Sequence, residues 1–292
     1  ALQEQFPHLV QIIETGHQSH GYDGKRVSEH GTQSLYYLRI GPQNEEREAK
    51  TGVFQYAAPH ARELVNPMTM MELTEQLVRN YDPASENPEI VANTRLLDSL
   101  DIFIAPMTNP DGSNFALHDD PMWRKNRVPV GEGKVGVDIN RNYPYQWQAS
   151  TRPGSQTYSG VGPASEAETQ AILKTVENHP NIKFVVDWHS HGQELRRPQG
   201  VSAEDNALYD ELHARVSKAI ASVAKNEYRA VVSQVIHGTS DDHFYHTAGV
   251  ISTVMETGRE FAPPTKEALV VMEESVAGAR EFLQAALDRE AS

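Results

Sequence analysis

The sequence contains no cysteine among its 292 residues. A disulfide scaffold, a zinc finger, an iron–sulfur site and a cysteine nucleophile all need a thiol, so the sequence excludes each of these classes. It does contain thirteen histidines. Any transition-metal site must therefore be built from imidazole and carboxylate, a ligand set that suits zinc or non-haem iron.

Positive charge is also scarce. The 26 Lys and Arg residues stand against 40 Asp and Glu residues, which gives a net charge of −14. Nucleic-acid phosphates need a basic patch, so we expect no nucleic-acid partner. No apolar run approaches the roughly 20 residues of a membrane helix, so we also expect no membrane span. The first residues lack an initiating Met and the pattern of a signal peptide, and we expect a processed or trimmed chain.

Short apolar segments alternate with longer helical patterns along the chain. Strands are predicted at 34–41, 51–58, 100–107, 183–190 and 250–257. Helices are predicted over 67–81, after Ser165 and over 265–289. Nearly continuous apolar strands indicate a sheet that is buried on both faces, so the fold class is α/β. No linker divides the sequence, and we expect one domain over residues 1–292.

The segment 109–162 is rich in Gly, Pro, Asn and Arg, and it has little periodicity. We predict a long loop there, and loops of that length in a compact domain are usually functional. Arg124, Lys125, Arg127 and Arg141 gather in it. In so acidic a chain, some of them are expected to bind an anion, because a guanidinium holds a carboxylate with two hydrogen bonds. Charge balance at the surface is the simpler interpretation for Arg124 and Lys125.

Histidine and carboxylate residues follow two of the predicted strands. His60 and Glu63 come directly after the strand at 51–58, and His189 and His191 lie at the end of the strand at 183–190. Residues i and i+2 of a strand share a face, so both histidines of the second pair are candidates. Two simpler readings stay open: His60 and Glu63 belong to a solvated surface, or only one of the other two histidines is a ligand.

Glu256 lies inside the apolar strand at 250–257. A carboxylate there is costly to ionise unless a cation lies nearby, although a strand end in solvent would explain it as well. Two histidines and a glutamate form a zinc ligand set with an open fourth position. With a separate carboxylate to accept a proton and arginines to hold an anion, the pattern is typical of a hydrolytic site.

Eight sequence markers occur in the order found in the zinc metallocarboxypeptidases, and the chain resembles that family of carboxypeptidases A, B and T, most closely the bacterial T type. The markers are PHARE at 59–63, NPDG at 109–112, WRKNR at 123–127, GVDINRNYPYQW at 136–147, TYSGVGPASEAET at 157–169, WHSHG at 188–192, SDD at 240–242 and METG at 255–258. The resemblance runs roughly from Tyr22 to Glu256. It implies an α/β fold with a central, mixed, largely parallel and twisted sheet, flanked by helices on both faces.

The resemblance also implies a role for individual residues. It assigns one zinc ion to His60, Glu63 and His189, the ligand set known for carboxypeptidase A. It makes Glu256 the general base that activates the zinc water. Further implied roles are a hydrogen bond to a ligand histidine for Asp138, the grip on the terminal carboxylate for Asn140 and Arg141, polarisation of the scissile carbonyl for Arg127, a secondary substrate contact for Arg62 and a pocket position for His191. The implied function is zinc-dependent hydrolysis of the C-terminal bond of peptides and proteins.

Two departures from the family pattern concern substrate recognition. The position of the family's mobile tyrosine, which caps the substrate, falls on Gln234, so either Tyr228 or His237 substitutes or capping is weaker. The family's Asp-Trp pair reads Asp242-His243, and the position before it, where members select a side chain, holds Asp241. An acidic group there predicts a preference for basic C-terminal residues.

Other interpretations remain open from the sequence. The same zinc site serves relatives that cleave peptidoglycan stem peptides, a non-catalytic binding protein on this fold is a further alternative, and a non-haem iron enzyme also uses two histidines and a carboxylate. No motif indicates calcium, although the acidic surface leaves it open. Because related enzymes are often made with an inhibitory N-terminal propiece, we expect a removed propeptide and a secreted or periplasmic protein.

Overall fold

The strands of the central sheet are distributed over almost the whole sequence. A computed structural model describes residues 2–21, 31–44 and 46–290, and within them the chain forms eight strands. They are β1 (Val10–Gln18), β2 (Ser34–Ile40), β3 (Thr51–Ala57), β4 (Leu100–Ala105), β5 (Ile182–Ser190), β6 (Glu194–Arg197), β7 (Arg229–Val232) and β8 (Ile251–Thr257). Their order in the sheet is β1-β2-β4-β3-β5-β8-β6-β7. Tyr22, where the resemblance begins, lies outside the described residues.

Helices connect these strands. Those of the described residues are α1 (Leu2–Gln5), α2 (Val65–Arg79), α3 (Pro88–Ser99), α4 (Pro110–His118), α5 (Ala167–Asn178), α6 (Ala203–Ala224), α7 (Ser240–Ala248) and α8 (Thr265–Glu290). Short 3-10 turns cover Arg47–Ala49 and Ile139–Arg141. None of the described helices is long and apolar enough to cross a membrane.

The five predicted strands and three predicted helices are confirmed, with shifts of one or two residues at their ends. The prediction of a continuous loop over 109–162 is wrong at its start, because α4 occupies Pro110–His118. Its local signal is clear: Pro110 is the first helical residue, and the side chain of Asn109 accepts a hydrogen bond from Gly112 N at 3.0 Å. The sequence also left β1, β6, β7 and the helices α1, α3, α6 and α7 unassigned.

Alternate residues of the central strands enter two separate apolar cores, one on each face of the sheet. Val53, Ile102 and Val186 belong to the core that helices α2, α3, α6 and α8 share. Phe54 and Phe103 belong to the other, which contains residues of α5 and α7. Because neighbouring strand residues point to opposite faces, a strand buried on both faces must be apolar throughout. The mixed sheet with helices on both faces is therefore confirmed.

The three strands β3, β5 and β8 lie side by side and run parallel. Their carboxyl ends therefore meet at one edge of the sheet, where α/β proteins commonly bind ligands. In the pairing of β5 with β8, His189 lies directly opposite Glu256. The polypeptide that follows β3 carries His60 and Glu63 to the same edge.

Candidate active site

His60, Glu63 and His189 converge at this edge. Glu63 Oε1 lies 2.9 Å from His60 Nδ1, and Glu63 Oε2 lies 3.1 Å from His189 Nδ1. One ligand atom from each residue falls within 4.8 Å of the others, and all three side chains are buried. The two Nδ1 atoms are themselves only 2.9 Å apart. Two imidazole nitrogens and a carboxylate that share one small volume suit a common cation, and their chemistry is that of a zinc site.

The far nitrogen of each histidine meets a buried aspartate. His60 Nε2 lies 3.0 Å from Asp138 Oδ1, and His189 Nε2 lies 2.9 Å from Asp187 Oδ2. A carboxylate at this nitrogen keeps the proton there and turns the lone pair of Nδ1 towards the shared centre. Both rings are therefore oriented with Nδ1 towards the shared centre, as a metal ligand needs. This arrangement supports the fit of the three residues to zinc.

Asp138 links this centre to the basic loop. It precedes the 3-10 turn of Ile139–Arg141, whose Asn140 N donates to Asp138 Oδ1 at 3.1 Å. Its other oxygen accepts a 3.0 Å hydrogen bond from Arg124 Nε. Burial alone would raise the pKa of the Asp138 carboxyl, but Arg124 and Arg141 hold that pKa well below its usual range. Asp138 is therefore an anion that orients both His60 and Arg124.

A cavity of about 250 Å³ opens beside the three clustered residues. Its lining consists of His60, Glu63, Arg124, Asn140, Arg141, His189, Ser190, Arg196, Ser233, Gln234, Ile236, Thr239, Asp241, Val254 and Glu256. Most of the residues predicted from the sequence thus meet in one place. The lining residues come from the segment after β3, from β5, β6 and β8, from the long loop, and from the segment between β7 and α7 with the first turn of α7.

Arg127 and Arg124 require a correction. The role at the scissile carbonyl was predicted for Arg127, but its guanidinium carbon lies 3.7 Å from the Phe115 ring centroid and 4.6 Å from that of Trp123. Arg124, which the sequence left to charge balance, lines the cavity instead. Burial alone would lower the pKa of Arg124, but the carboxylates of Asp138 and Glu63 raise it, so its guanidinium stays charged.

Asn140 and Arg141 sit on the 3-10 turn at the cavity wall. The side-chain oxygen of Asn140 accepts a hydrogen bond from Ser240 N at 2.8 Å, which ties the turn to the start of α7. Gly238 packs against the same turn: it has φ +70°, and a Cβ atom there would lie 2.4 Å from the carbonyl oxygen of Arg141. Glycine is required at this close approach. Burial removes much of the water around the charged guanidinium of Arg141 and so lowers its pKa. A bound anion would stabilise that charge.

Glu256 faces the cavity from β8, and its side chain retains 19% of its exposure. The side chain is therefore neither fully buried nor fully exposed, and neither interpretation made from the sequence describes it completely. Burial raises the pKa of its carboxyl, while His189 and Arg196 act in the opposite direction. The guanidinium of Arg196 lies close to this carboxylate, with Nε 3.8 Å from Glu256 Oε1.

Asp241 and Gln234 both line the cavity. Asp241 is in the first turn of α7 and accepts a 2.5 Å hydrogen bond from Ser233 Oγ. Of the two substitutes considered for the capping tyrosine, Tyr228 is buried in the apolar core, and its hydroxyl accepts from Gly258 N at 3.0 Å. Gln234, the position to which the resemblance assigns the capping tyrosine, lines the cavity wall.

Arg62 and His191 lie outside this lining, at either side of Phe261. The Arg62 guanidinium carbon is 3.9 Å from the Phe261 ring centroid, and the exposed His191 ring meets the same ring edge-on at 4.5 Å. The pocket position implied for His191 is therefore corrected to a surface position. Arg62 also donates to the carbonyl of Met122 at 3.2 Å.

Sequence reasoning missed three residues of the site: Arg124, Asp187 and Arg196. Asp187 had a usable signal, because it precedes His189 by two residues in a strand and shares its face. Arg196 had none, since the four residues of β6, Glu-Leu-Arg-Arg, are too short and too charged to be recognised as a strand.

Comparisons with known proteins give one family. The family model described as zinc carboxypeptidase matches residues 1–278. Metallocarboxypeptidase A of Trichophyton tonsurans is 31% identical over 232 residues, 77% of this chain and 50% of that protein. Human mast cell carboxypeptidase A is 32% identical over 220 residues, 74% of this chain and 50% of that protein. The chain thus spans about half the length of these relatives.

The crystal structure of thrombin-activatable fibrinolysis inhibitor has the same fold, with a TM-score of 0.84 and 24% identity over 98% of this chain and 71% of that one. At this identity the likeness concerns the fold alone. The family match covers nearly the whole chain, and the His60, Glu63 and His189 cluster provides the ligands that the family's zinc ion requires. The chain belongs to the zinc carboxypeptidase family.

Proposed function

We propose that this protein is a zinc-dependent carboxypeptidase, which removes the last residue from peptides and proteins. The observation that carries the proposal is the shared cavity: the cluster of His60, Glu63 and His189, the carboxylate of Glu256 and the guanidinium of Arg141 all line it. A metal-dependent hydrolase of chain ends needs a metal site, a base and a cation for the terminal carboxylate in one cavity. These groups supply each of them.

Substrate binding is assigned to the 3-10 turn. Arg141 holds the terminal carboxylate of the peptide, and the amide of Asn140 adds a hydrogen bond to it. A buried guanidinium strongly favours an anion over a neutral amide, which accounts for the selection of free chain ends. The peptide bond to be cleaved is then held between Arg141 and Glu63.

The chemical step is assigned to Glu256 and Arg124. A zinc ion bound at the cluster supplies Lewis acidity and lowers the pKa of a water molecule to about 7. Glu256 accepts the proton of the attacking water and passes it to the leaving nitrogen as the peptide bond breaks. Arg124, held by Asp138, stabilises the negative charge that develops on the carbonyl oxygen.

Asp241 supports a preference for C-terminal Lys or Arg. Its carboxylate lies in the cavity wall beyond Arg141, with the hydroxyl of Ser233 as a partner. Arg196, a cation of the same wall, is paired with Glu194, with Nη2 2.6 Å from Oε2. The carboxylate of Asp241 interacts with the charge of Arg141, and its negative charge in the cavity would also attract a cationic side chain of the substrate.

The test is chelation with zinc add-back on the purified chain. Hydrolysis of a peptide that ends in Arg should stop with 1,10-phenanthroline and return with zinc, while the same peptide with a C-terminal amide should resist cleavage. Activity that survives chelation, or a protein that contains iron and has no peptidase activity, would reject the proposal. A peptidoglycan stem peptide in the same assay tests the alternative substrate class, and turnover of that peptide alone would select it.

We assign residues 1–292 to one catalytic domain, since the described strands all join one sheet, and limited proteolysis should leave one resistant fragment. The substrates are peptide and protein C-termini outside the cytoplasm, in the secreted or periplasmic fraction. Recovery of the protein from the cytosolic fraction alone would contradict that location.

A further inference from the structure

We infer that Arg196 is a positioning residue, which holds the carboxylate of Glu256 in the orientation for proton transfer. The inference rests on the proposed function, because it takes Glu256 as the base. It concerns a residue on β6, the short strand next to β8.

The register of the two strands brings the groups together. Strands β6 and β8 are antiparallel, with Glu194 opposite Glu256 and Arg196 opposite Val254. Leu195 and its partner on β8 point the other way, into the apolar core. Glu194, Arg196 and Glu256 therefore share the face of the sheet that borders the cavity.

The guanidinium of Arg196 spans the two carboxylates. Its Nη2 lies 2.6 Å from Glu194 Oε2, and its Nε lies 3.8 Å from Glu256 Oε1. Like charges directly opposite each other on neighbouring strands destabilise a sheet, and a cation between them removes that repulsion. Glu194 thus anchors Arg196, and Arg196 faces Glu256.

The Nε atom of Arg196 is buried, and it has no hydrogen-bond partner among the described residues. A buried N–H without a partner is unfavourable, and the oxygen of Glu256 lies just beyond hydrogen-bond reach. A movement of about 1 Å would close that bond. The geometry therefore favours one orientation of Glu256 over the others that a partly exposed glutamate samples.

A fixed base matters for the rate of the chemical step. Misplacement of a reacting group by about 1 Å can reduce a rate by roughly 10²-fold. A role in orientation lowers kcat, whereas a role in holding the substrate side chain raises KM. A substrate that ends in Leu separates the two, because an apolar side chain makes no ion pair with the cavity.

The experiment compares Arg196→Met with Arg196→Lys. We expect Arg196→Met to lower kcat by about 10- to 100-fold and to leave KM within about twofold, and we expect Arg196→Lys, which keeps the cation, to recover most of that loss. Arg196→Gln is the second neutral variant if the Met variant does not fold. Arg215→Met is the matched control: Arg215 has a similar exposure, 29% against 25%, and joins Glu281 and Asp288 away from the cavity.

The outcomes separate this inference from the proposed function. A neutral Arg196 variant with normal kcat, next to an inactive Glu256→Gln variant, would overturn the inference alone. So would equal losses in the Lys and neutral variants, or a change confined to KM. Normal turnover by Glu256→Gln would reject the base itself, and the proposed mechanism with it.

Discussion

Arg124 and Asp138 form an ion pair, with Nε 3.0 Å from Oδ2, while the other oxygen of the same carboxylate meets His60 Nε2 at 3.0 Å. The buried Asp138 thus orients both His60, a candidate metal ligand, and Arg124 of the cavity wall. Arg124 and Arg141 hold the pKa of this carboxyl well below its usual range, which favours the anion. This carboxylate therefore fixes the position of Arg124 relative to His60, Glu63 and His189.

We expect Arg124→Met to lower kcat/KM by about 10² to 10³-fold, because the charge that forms on the carbonyl oxygen loses its stabilising cation. Arg127→Met is the matched control, since Arg127 packs on Phe115 and Trp123. The Arg127→Met variant should have a lower thermal unfolding midpoint and an unchanged kcat/KM. Steady-state kinetics of both variants on one peptide measures the difference. A large loss of kcat/KM in Arg127→Met with a small loss in Arg124→Met would return the role to Arg127.

Asp187 should tune the affinity for zinc. Removal of a carboxylate that binds a ligand histidine typically weakens metal binding by about 10- to 100-fold, and we expect a loss of that size for Asp187→Asn. Competition with a chromophoric chelator measures it. Asp210→Asn, which changes an exposed aspartate paired with Arg197, provides the control. Equal affinities in both variants would remove Asp187 from the metal site.

Asp241 should set the side-chain preference. Asp241→Asn is expected to reduce the ratio of kcat/KM for a peptide ending in Arg to that for one ending in Leu by about tenfold or more, because the isosteric amide has no net charge. Asp242→Asn changes the next residue, whose Oδ1 accepts from Gln199 N, and should leave the ratio as it is. A wild-type enzyme that prefers Leu would contradict the assignment directly.

Arg141 should act mainly in binding. We expect Arg141→Ala to raise KM for peptides with a free carboxylate more than it lowers kcat, because the ion pair with the chain end is present in the bound substrate before reaction. Arg152→Ala removes an exposed arginine of the same loop region and serves as control. An unchanged KM would place the chain-end site elsewhere.

Glu168 makes stability depend on pH. Burial raises the pKa of this carboxyl to about 7, and its Oε1 has no hydrogen-bond partner among the described residues. Because the folded state binds this proton more tightly than the unfolded chain, the stabilisation is complete below about pH 4.5 and is lost as pH rises through about 7. The loss is ~3 kcal/mol at 1.4 kcal/mol per pKa unit.

Glu168→Gln cannot ionise, so its free energy of unfolding relative to the wild type should increase from pH 5 to pH 8. Urea unfolding at the two pH values measures that difference. Lys183→Gln, at an exposed position of β5, is a control that should show no such trend. A difference that is constant with pH would mean that Glu168 keeps an ordinary pKa in the folded protein.

Much of the fold could be predicted from local sequence patterns. The strands β3, β5 and β8 are buried on both faces, so their apolar runs are long enough to recognise. The candidate metal ligands lie at the carboxyl ends of two of them: His60 and Glu63 follow β3, and His189 is near the end of β5. Strands β6 and β7 have four residues each, and charged side chains on the cavity side interrupt their pattern. Their place in the sheet depends on pairing with distant segments, which a single sequence does not display.

The site shows the same division. Seven residues that line the cavity were predicted because each belongs to a compact motif: His60, Glu63, His189, Asn140, Arg141, Asp241 and Glu256. The choice between Arg124 and Arg127 could not be made from motif order, since the two arginines differ by three residues in an irregular segment. Only the packing of Arg127 on two aromatic rings and the pairing of Arg124 with Asp138 distinguish them.

The most direct measurement on the central claim is made with Glu256→Gln, by zinc content and single-turnover kinetics on the same sample. We expect one zinc ion per chain as in the wild type, normal binding of a peptide with a free C-terminus, and a rate of hydrolysis reduced by about 10²- to 10⁴-fold or more. A Glu256→Gln protein that holds zinc and cleaves the peptide at the wild-type rate would contradict the assignment of Glu256 as the base of a zinc carboxypeptidase.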